Sequence, residues 1–89
     1  MRYTLQEIKT IVNGQLLQIK EDTVITNICI DTRQITNAAG SLFFCLVARN
    51  DGHLHIETAY RRGIRNFIVS KEVETNTFTD ASFILVENT

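Results

Sequence analysis

Two short polar runs in this sequence hold the side chains best suited to gripping a ligand. They are Asp31-Thr32-Arg33 and Arg49-Asn50-Asp51-Gly52-His53. Thr32 offers a hydroxyl, Arg33 and Arg49 offer guanidinium donors, and Asn50 offers an amide edge that donates and accepts. That set suits a neutral base together with a ribose or a phosphate. A plainer reading stands beside it: Asp31 and Asp51 close Asx turns, and the arginines stand in water.

Other chemistries fit less well. Cys29, Cys45, His53 and His55 could ligate a metal in principle, but their spacing matches no compact zinc pattern, and no metal site is expected. His53 reads as a hydrogen-bonding group near a helix start, and His55 as exposed. There is no GxSxG elbow, no cysteine with a histidine close in sequence, no GxxxxGK[ST] phosphate loop and no GxGxxG. No catalytic residue is therefore expected in this chain. The basic cluster "YRRGIR" (60–65) reads as a solvated helix end, its cations near the negative pole of the helix dipole.

Both ligand-bearing runs follow apolar stretches, and those stretches define the elements that must position them. "VITNICI" (24–30) alternates, with Ile28 and Ile30 on one face and Asn27 and Cys29 on the other, as a strand does. "SLFFCLVA" (41–48) is a continuous apolar run too short for a typical helix, which fits a strand buried on both faces. Ligands of α/β sheets sit outside the carboxyl ends of strands. If these two strands are parallel neighbours, both polar runs face one crevice.

The remaining elements follow from the same signals. Thr4-Leu5-Gln6-Glu7 is a capping box, and Leu5, Ile8 and either Ile11 or Val12 recur at helical spacing, so a helix is expected from about Leu5 to Val12, stopped by Asn13-Gly14. "QLLQI" (15–19) is a short strand candidate. Residues 34–40 are irregular, with Gly40 as punctuation. Ile56, Ala59 and Tyr60 start a second helix that Gly63 closes, and "NFIVS" (66–70) is a buried strand; the strand–helix–strand spacing predicts a right-handed βαβ unit. "KEVETNTFTDA" (71–81) reads as a polar, mobile connection, and "FILV" (83–86) as the last strand. The expected fold is a small three-layer α/β domain with a mixed or mostly parallel sheet of four to five strands flanked by helices.

Composition sets the outer bounds. The chain has 89 residues, 44% apolar and 21% charged, which is ordinary for one globular domain. A formal charge of -1 gives no global field for nucleic acid or an anionic membrane, so neither is expected as a partner. No window approaches ~18 continuous apolar residues. The first residues, "MRYTLQEIKT", lack the apolar core of a signal peptide. Cys29 and Cys45 lie inside apolar runs and read as small buried hydrophobes, which fits a reducing cytoplasm. The end at Glu87-Asn88-Thr89, directly after a strand, leads us to expect a single domain over 1–89 that is a fragment of a longer chain.

Taken in order, "IDTR" (30–33), "AGSLFFCL" (39–46), "DGH" (51–53) and "I..AYRRGIRNFIV" (56–69) resemble the N-terminal domain of the Mur ligases, the bacterial enzymes that extend the peptidoglycan stem peptide. The family pattern is roughly D-[ST]-R, then G-x-L-F-x-A, then D-G-H, then a helix ending in Gly before a buried strand. The likeness covers about residues 24–86. Thr32 in "DTR", with "SLFF" and "RNDGH…RRGIRNFIV", looks closest to the branch that adds D-alanyl-D-alanine, and within it to the form fused to a C-terminal alanine racemase. The third-residue-adding branch shares this domain, and a non-catalytic interaction or regulatory module on the same scaffold is a further alternative.

The resemblance implies a role and a set of residues. In the family this domain holds the UDP end of a UDP-N-acetylmuramoyl-peptide. Carried over, Thr32 hydrogen-bonds the uridine or its phosphates, and Ile30 packs near the base. Ala48, Arg49, Asn50 and Asp51 offer backbone and side-chain groups to the uracil edge. Arg33 lines the site or pairs with a carboxylate such as Asp31 or Asp51. Central and C-terminal domains of the parent chain supply ATP and magnesium chemistry, in which an acyl phosphate is attacked by the incoming amine. Pyridoxal phosphate would accompany the racemase. This chain alone is expected to bind and not to catalyse. It departs from the pattern at Val47-Ala48, where relatives have Lys-Gly or Val-Gly, in a segment before Asp51 about one residue shorter, and at Ala39, where Pro is usual. Without that glycine, strain-free access to positive φ is lost, which predicts a different path for residues 48–50.

Overall fold

A computed structural model describes residues 2–20, 22–35, 37–45 and 55–87. In chain order these form β1 (Tyr3–Thr4), α1 (Leu5–Ile11), β2 (Gln15–Gln18), β3 (Val24–Ile25), β4 (Asn27–Cys29), β5 (Ser41–Phe44), α2 (Ile56–Arg61), β6 (Asn66–Val69) and β7 (Ser82–Leu85), with single 3-10 turns at Thr32–Gln34, Ala38–Gly40 and Thr75–Phe78. The main sheet has five strands in the order β2-β7-β6-β5-β4. β4, β5, β6 and β7 run parallel, and β2 joins β7 antiparallel. The expected mixed, mostly parallel sheet is therefore the one found, and β5–α2–β6 is the expected βαβ unit. A second sheet, β1 with β3, has two residues in each strand.

Strand alternation divides the core into two chemically distinct halves. On the α2 face, Cys29, Phe43, Phe67 and Phe83 are successive register partners across four strands. Phe67 stacks on Phe83 at 5.1 Å between centroids and meets Phe43 edge-on at 6.1 Å. Ile56, Ala59 and Ile64 close this half from α2 and its exit. On the α1 face the neighbouring positions are aliphatic: Leu42, Ile68 and Ile84, capped by Leu5, Ile8 and Ile25. Each central strand thus alternates its side chains between the two faces, as a period of two requires. β5 and β6, paired on both sides, read as continuous apolar runs for that reason.

Both helices end in Schellman motifs. After α2, Gly63 takes φ 102°, its N–H reaches Tyr60 O at 3.0 Å, and Ile64 N–H reaches Ala59 O at 3.0 Å. After α1 the left-handed position belongs to Asn13 (φ 54°), not to the glycine beside it; Gly14 N–H reaches Lys9 O at 2.9 Å. Thr4 and Glu7 form the full capping box expected: Thr4 Oγ1 accepts from Glu7 N–H (3.2 Å) and Glu7 Oε1 from Thr4 N–H (2.9 Å). Of the two candidates for the last apolar contact of α1, Val12 packs on the core and Ile11 is 66% exposed.

Three expectations are corrected. The single strand over 24–30 is two short strands broken at Thr26, whose N–H bonds Gly40 O at 2.8 Å instead of continuing one ladder. The segment 71–81 is not a purely polar connection: Phe78 packs on Tyr60 and Phe83, and Gln18 Nε2 donates to the carbonyls of Phe78 and Ala81, both at 2.9 Å. The cluster at 60–65 is not simply a solvated helix end. Arg65 lies 4.0 Å over the Tyr60 ring, donates to Tyr60 O at 2.7 Å and pairs with Asp80 at 3.0 Å, while the Tyr60 hydroxyl donates to the same carboxylate. Arg61 and Arg62 do remain exposed.

Candidate functional site

The condition set by the sequence is met: β4 and β5 are parallel neighbours. Their carboxyl ends lie on one edge of the sheet, so Ile30-Asp31-Thr32-Arg33, leaving β4, and the segment that leaves β5 start side by side. Of that second segment, Ala48, Arg49, Asn50 and Asp51, together with Gly52 and His53, lie outside the described residues. The chain is described again at His55, exposed and at the N-cap of α2. His55 stands within electrostatic reach of Asp31 and adds a small downward pull on its carboxyl.

Asp31 organises the turn. It takes an extended conformation (φ -134°, ψ 120°) and caps a 3-10 turn over Thr32–Gln34. Its Oδ1 accepts from Arg33 N–H at 2.9 Å. The Arg33 guanidinium grips both carboxylate oxygens, Nε to Oδ1 at 3.1 Å and to Oδ2 at 3.2 Å, and Nη2 to Oδ2 at 2.8 Å. Asp31 O accepts from Gln34 N–H at 3.1 Å and from the Cys29 thiol at 3.1 Å. The hydrogen bonds from the Arg33 side chain, then from its backbone, hold the Asp31 carboxyl down at about 2 and raise the Arg33 guanidinium further above its ordinary value. Of the carboxylates offered to Arg33 by the sequence, Asp31 is the one it takes among the described residues.

Two further expected residues can be placed. Thr32 is half-buried at the first position of the 3-10 turn, and its hydroxyl has no hydrogen-bond partner among the described residues. Ile30 is 60% exposed, on the same side of the strand line as Ile28 at 54%. Both are exposed on the edge strand, so the apolar stripe read from "VITNICI" faces outward and its Cys29 faces the core. Sequence reasoning weighed Asp31 only as a turn former or a possible partner; its position immediately before an [ST]-R pair was the available signal for its larger role.

A shallow concave feature lies elsewhere on the same edge. An open depression of about 250 Å³ is lined by Asn13, Gly14, Gln15, Leu85, Val86 and Glu87. It sits beyond β6 from the 31–33 turn and includes none of the residues expected to hold a ligand. We place the candidate site at the turn, which carries the Thr32 hydroxyl and the Arg33 guanidinium at the carboxyl edge of the sheet. Cys29 and Cys45 are buried and form no disulfide, and no group of three or more His, Cys, Asp or Glu among the described residues could hold a metal. No helix among the described residues is long and apolar enough to cross a membrane.

No family model and no curated protein matches the sequence. Solved structures do match the fold. A UDP-N-acetylmuramoylalanyl-D-glutamyl-2,6-diaminopimelate–D-alanyl-D-alanyl ligase from Acinetobacter baumannii is 22% identical with a TM-score of 0.81, over 99% of this chain and 19% of that one. Two crystal structures of MurF from the same organism give 23% identity and a TM-score of 0.83 over 100% of this chain and 19% of theirs, and 22% and 0.79 over 99% and 18%. At that identity the likeness establishes the fold, which is the one the sequence resemblance implied. The chain spans about a fifth of the length of the solved chains it matches.

Proposed function

We propose that this chain is the substrate-anchoring domain of an ATP-dependent amide ligase of peptidoglycan synthesis, of the branch that adds D-alanyl-D-alanine, and that it binds the UDP end of a UDP-N-acetylmuramoyl-peptide. The observation that carries the reading is the parallel pairing of β4 with β5, which brings the 31–33 turn and the carboxyl end of β5 at Phe44 and Cys45 to one edge of the sheet. The fold shared with MurF chains over the whole of this chain supports it.

In this reading Thr32 gives its hydroxyl to the uridine or its phosphates, and Ile30 offers an exposed apolar surface to the base. Arg33 presents the guanidinium edge that Asp31 leaves unused. Ala48, Arg49, Asn50 and Asp51 complete the uracil contacts. Grip on a remote nucleotide handle positions a distant reacting carboxylate, so binding here serves chemistry elsewhere. The chain has no phosphate loop in its sequence and no metal-holding cluster among the described residues, so ATP and magnesium are assigned to further domains of the parent. A fused racemase with pyridoxal phosphate belongs to the same proposal.

The test is a UDP titration of the 15N-labelled chain. Amide shifts confined to residues 30–33 and 47–53 are expected. Shifts centred on 13–15 and 85–87 overturn the placement of the site at the turn, and no shift at millimolar UDP overturns the assignment of this binding to the chain.

A further inference from the structure

We propose that Asp31 is a positioning residue that holds Arg33 and the Thr32 turn in place before ligand arrives, so that both meet an anionic ligand already ordered. The inference rests on the reading of this turn as part of a uridine-diphosphate site.

The geometry gives Asp31 two separate holds. Its backbone carbonyl is tied inward, to the thiol of Cys29, which is 6% exposed and belongs to the aromatic half of the core. Its carboxylate is tied outward, to the backbone N–H and the guanidinium of Arg33. The Asp31 side chain is 28% exposed and that of Arg33 84%, so the aspartate is the anchored member of the pair. The result is a continuous mechanical link from core to surface: Cys29, Asp31, Arg33.

Among the described residues, Arg33 is engaged on one edge. Nε and one Nη2 proton face the carboxylate, while Nη1 has no partner among the described residues. The Arg33 side chain is 84% exposed, and it follows directly on Thr32, whose hydroxyl has no partner among the described residues. An exposed arginine that grips a phosphate normally gives up its rotamer freedom at that moment. Here the bidentate pair has already removed that freedom, because a planar fork can hold a carboxylate on one edge and a second anion on another. A surface ion pair with no such role would leave ligand affinity untouched.

The experiment uses Asp31→Asn in the full chain. Asparagine keeps an Oδ1 acceptor for the Arg33 N–H but loses the charge that holds the guanidinium. Three quantities are read: the heteronuclear NOE of the Arg33 Nε–H, the dissociation constant for UDP, and the thermal midpoint. We expect the Arg33 Nε–H to become mobile, UDP to bind roughly threefold to tenfold more weakly, and the midpoint at neutral pH to drop slightly, by the share that this surface pair contributes above its carboxylate pKa. In an Arg33→Ala background, Asp31→Asn should weaken UDP no further. An unchanged Nε–H signal overturns the proposal, as does an unchanged dissociation constant or a loss equally large without Arg33. If the wild type does not take UDP at all, the uridine-diphosphate reading fails, and the Nε–H signal alone decides whether Asp31 pins Arg33.

Discussion

A Cβ on Gly14 would fall 2.5 Å from Cγ2 of Ile84 and 3.1 Å from the carbonyl oxygen of Leu85. Gly14 has no positive φ, so it is the close approach of chain to sheet, not backbone freedom, that demands glycine here. Ile84 is fully buried among Leu5, Ile8 and Ile68 and has no space to retreat. Gly14→Ala should cost about 1–3 kcal/mol, the range for forcing extra atoms into a packed site. Urea unfolding measures it; a variant as stable as wild type would mean that the β2–β7 pair shifts freely.

Thr32→Val separates ligand binding from folding. The hydroxyl has no partner among the described residues, so its removal should change stability by no more than about 0.5 kcal/mol. The loss of one hydrogen bond to UDP should weaken affinity roughly threefold to tenfold. An unchanged affinity in calorimetry removes Thr32 from the site.

Phe67 is the middle ring of the row Phe43–Phe67–Phe83 and is fully buried. Phe67→Ala should cost about 3–5 kcal/mol. Small domains have only about 5–15 kcal/mol in hand, so this variant should show a much lower thermal midpoint. A midpoint within a few degrees of wild type would contradict the row's central place in the core.

Stability should fall in acid, and two carboxylates account for its sign. Asp31 is held down from 3.8 to about 2 by Arg33, and Asp80 is lowered by the hydrogen bond from Tyr60 and then by Arg65. Both pKa values are lower folded than unfolded, so their contribution is full above about 4 and is lost as pH falls through the folded values. Tyr60 is the opposite case: its pKa is raised by the bond to Asp80, so its share is full below 10 and is lost as pH rises through the raised value. Asp80→Asn should flatten both limbs of the stability profile, and Asp31→Asn the acid limb only. Denaturant midpoints from pH 2 to 11 test this; limbs as steep as wild type in Asp80→Asn would refute it.

The capping box offers a local test. Thr4→Ala should cost about 1 kcal/mol, since it leaves the Glu7 N–H without its acceptor. Thr4→Ser should restore most of it. Equal stability of all three proteins would show that water satisfies the helix start as well as the hydroxyl does.

What was legible in the sequence was what local signals decide. Thr4 and Glu7 announced α1, Gly63 announced the end of α2, and the apolar runs at 41–44 and 66–69 announced buried parallel strands. What escaped depends on partners far away in sequence. The break at Thr26 is made by Gly40, the two-residue strands β1 and β3 exist only through each other, and Arg65 finds Asp80 across 15 positions. At the candidate site, the placement of Ile30, Thr32 and Arg33 on the carboxyl edge was legible because strand ends are; that Arg33 takes Asp31 was not, because the sequence offers it more than one carboxylate. The expected contacts of Ala48, Arg49, Asn50 and Asp51 rest on residues outside those described.

The strand order also governs how the domain can form during synthesis. β7 comes last in sequence among the sheet strands, yet it lies between β2 and β6. Its Phe83 and Ile84 each supply one side of the divided core. While a ribosome still holds residues 82–85, β2 has no strand to pair with and β6 is a bare, apolar edge open to other chains. A chaperone acting on this protein as it is made would find its binding site there, and would lose it when β7 is inserted.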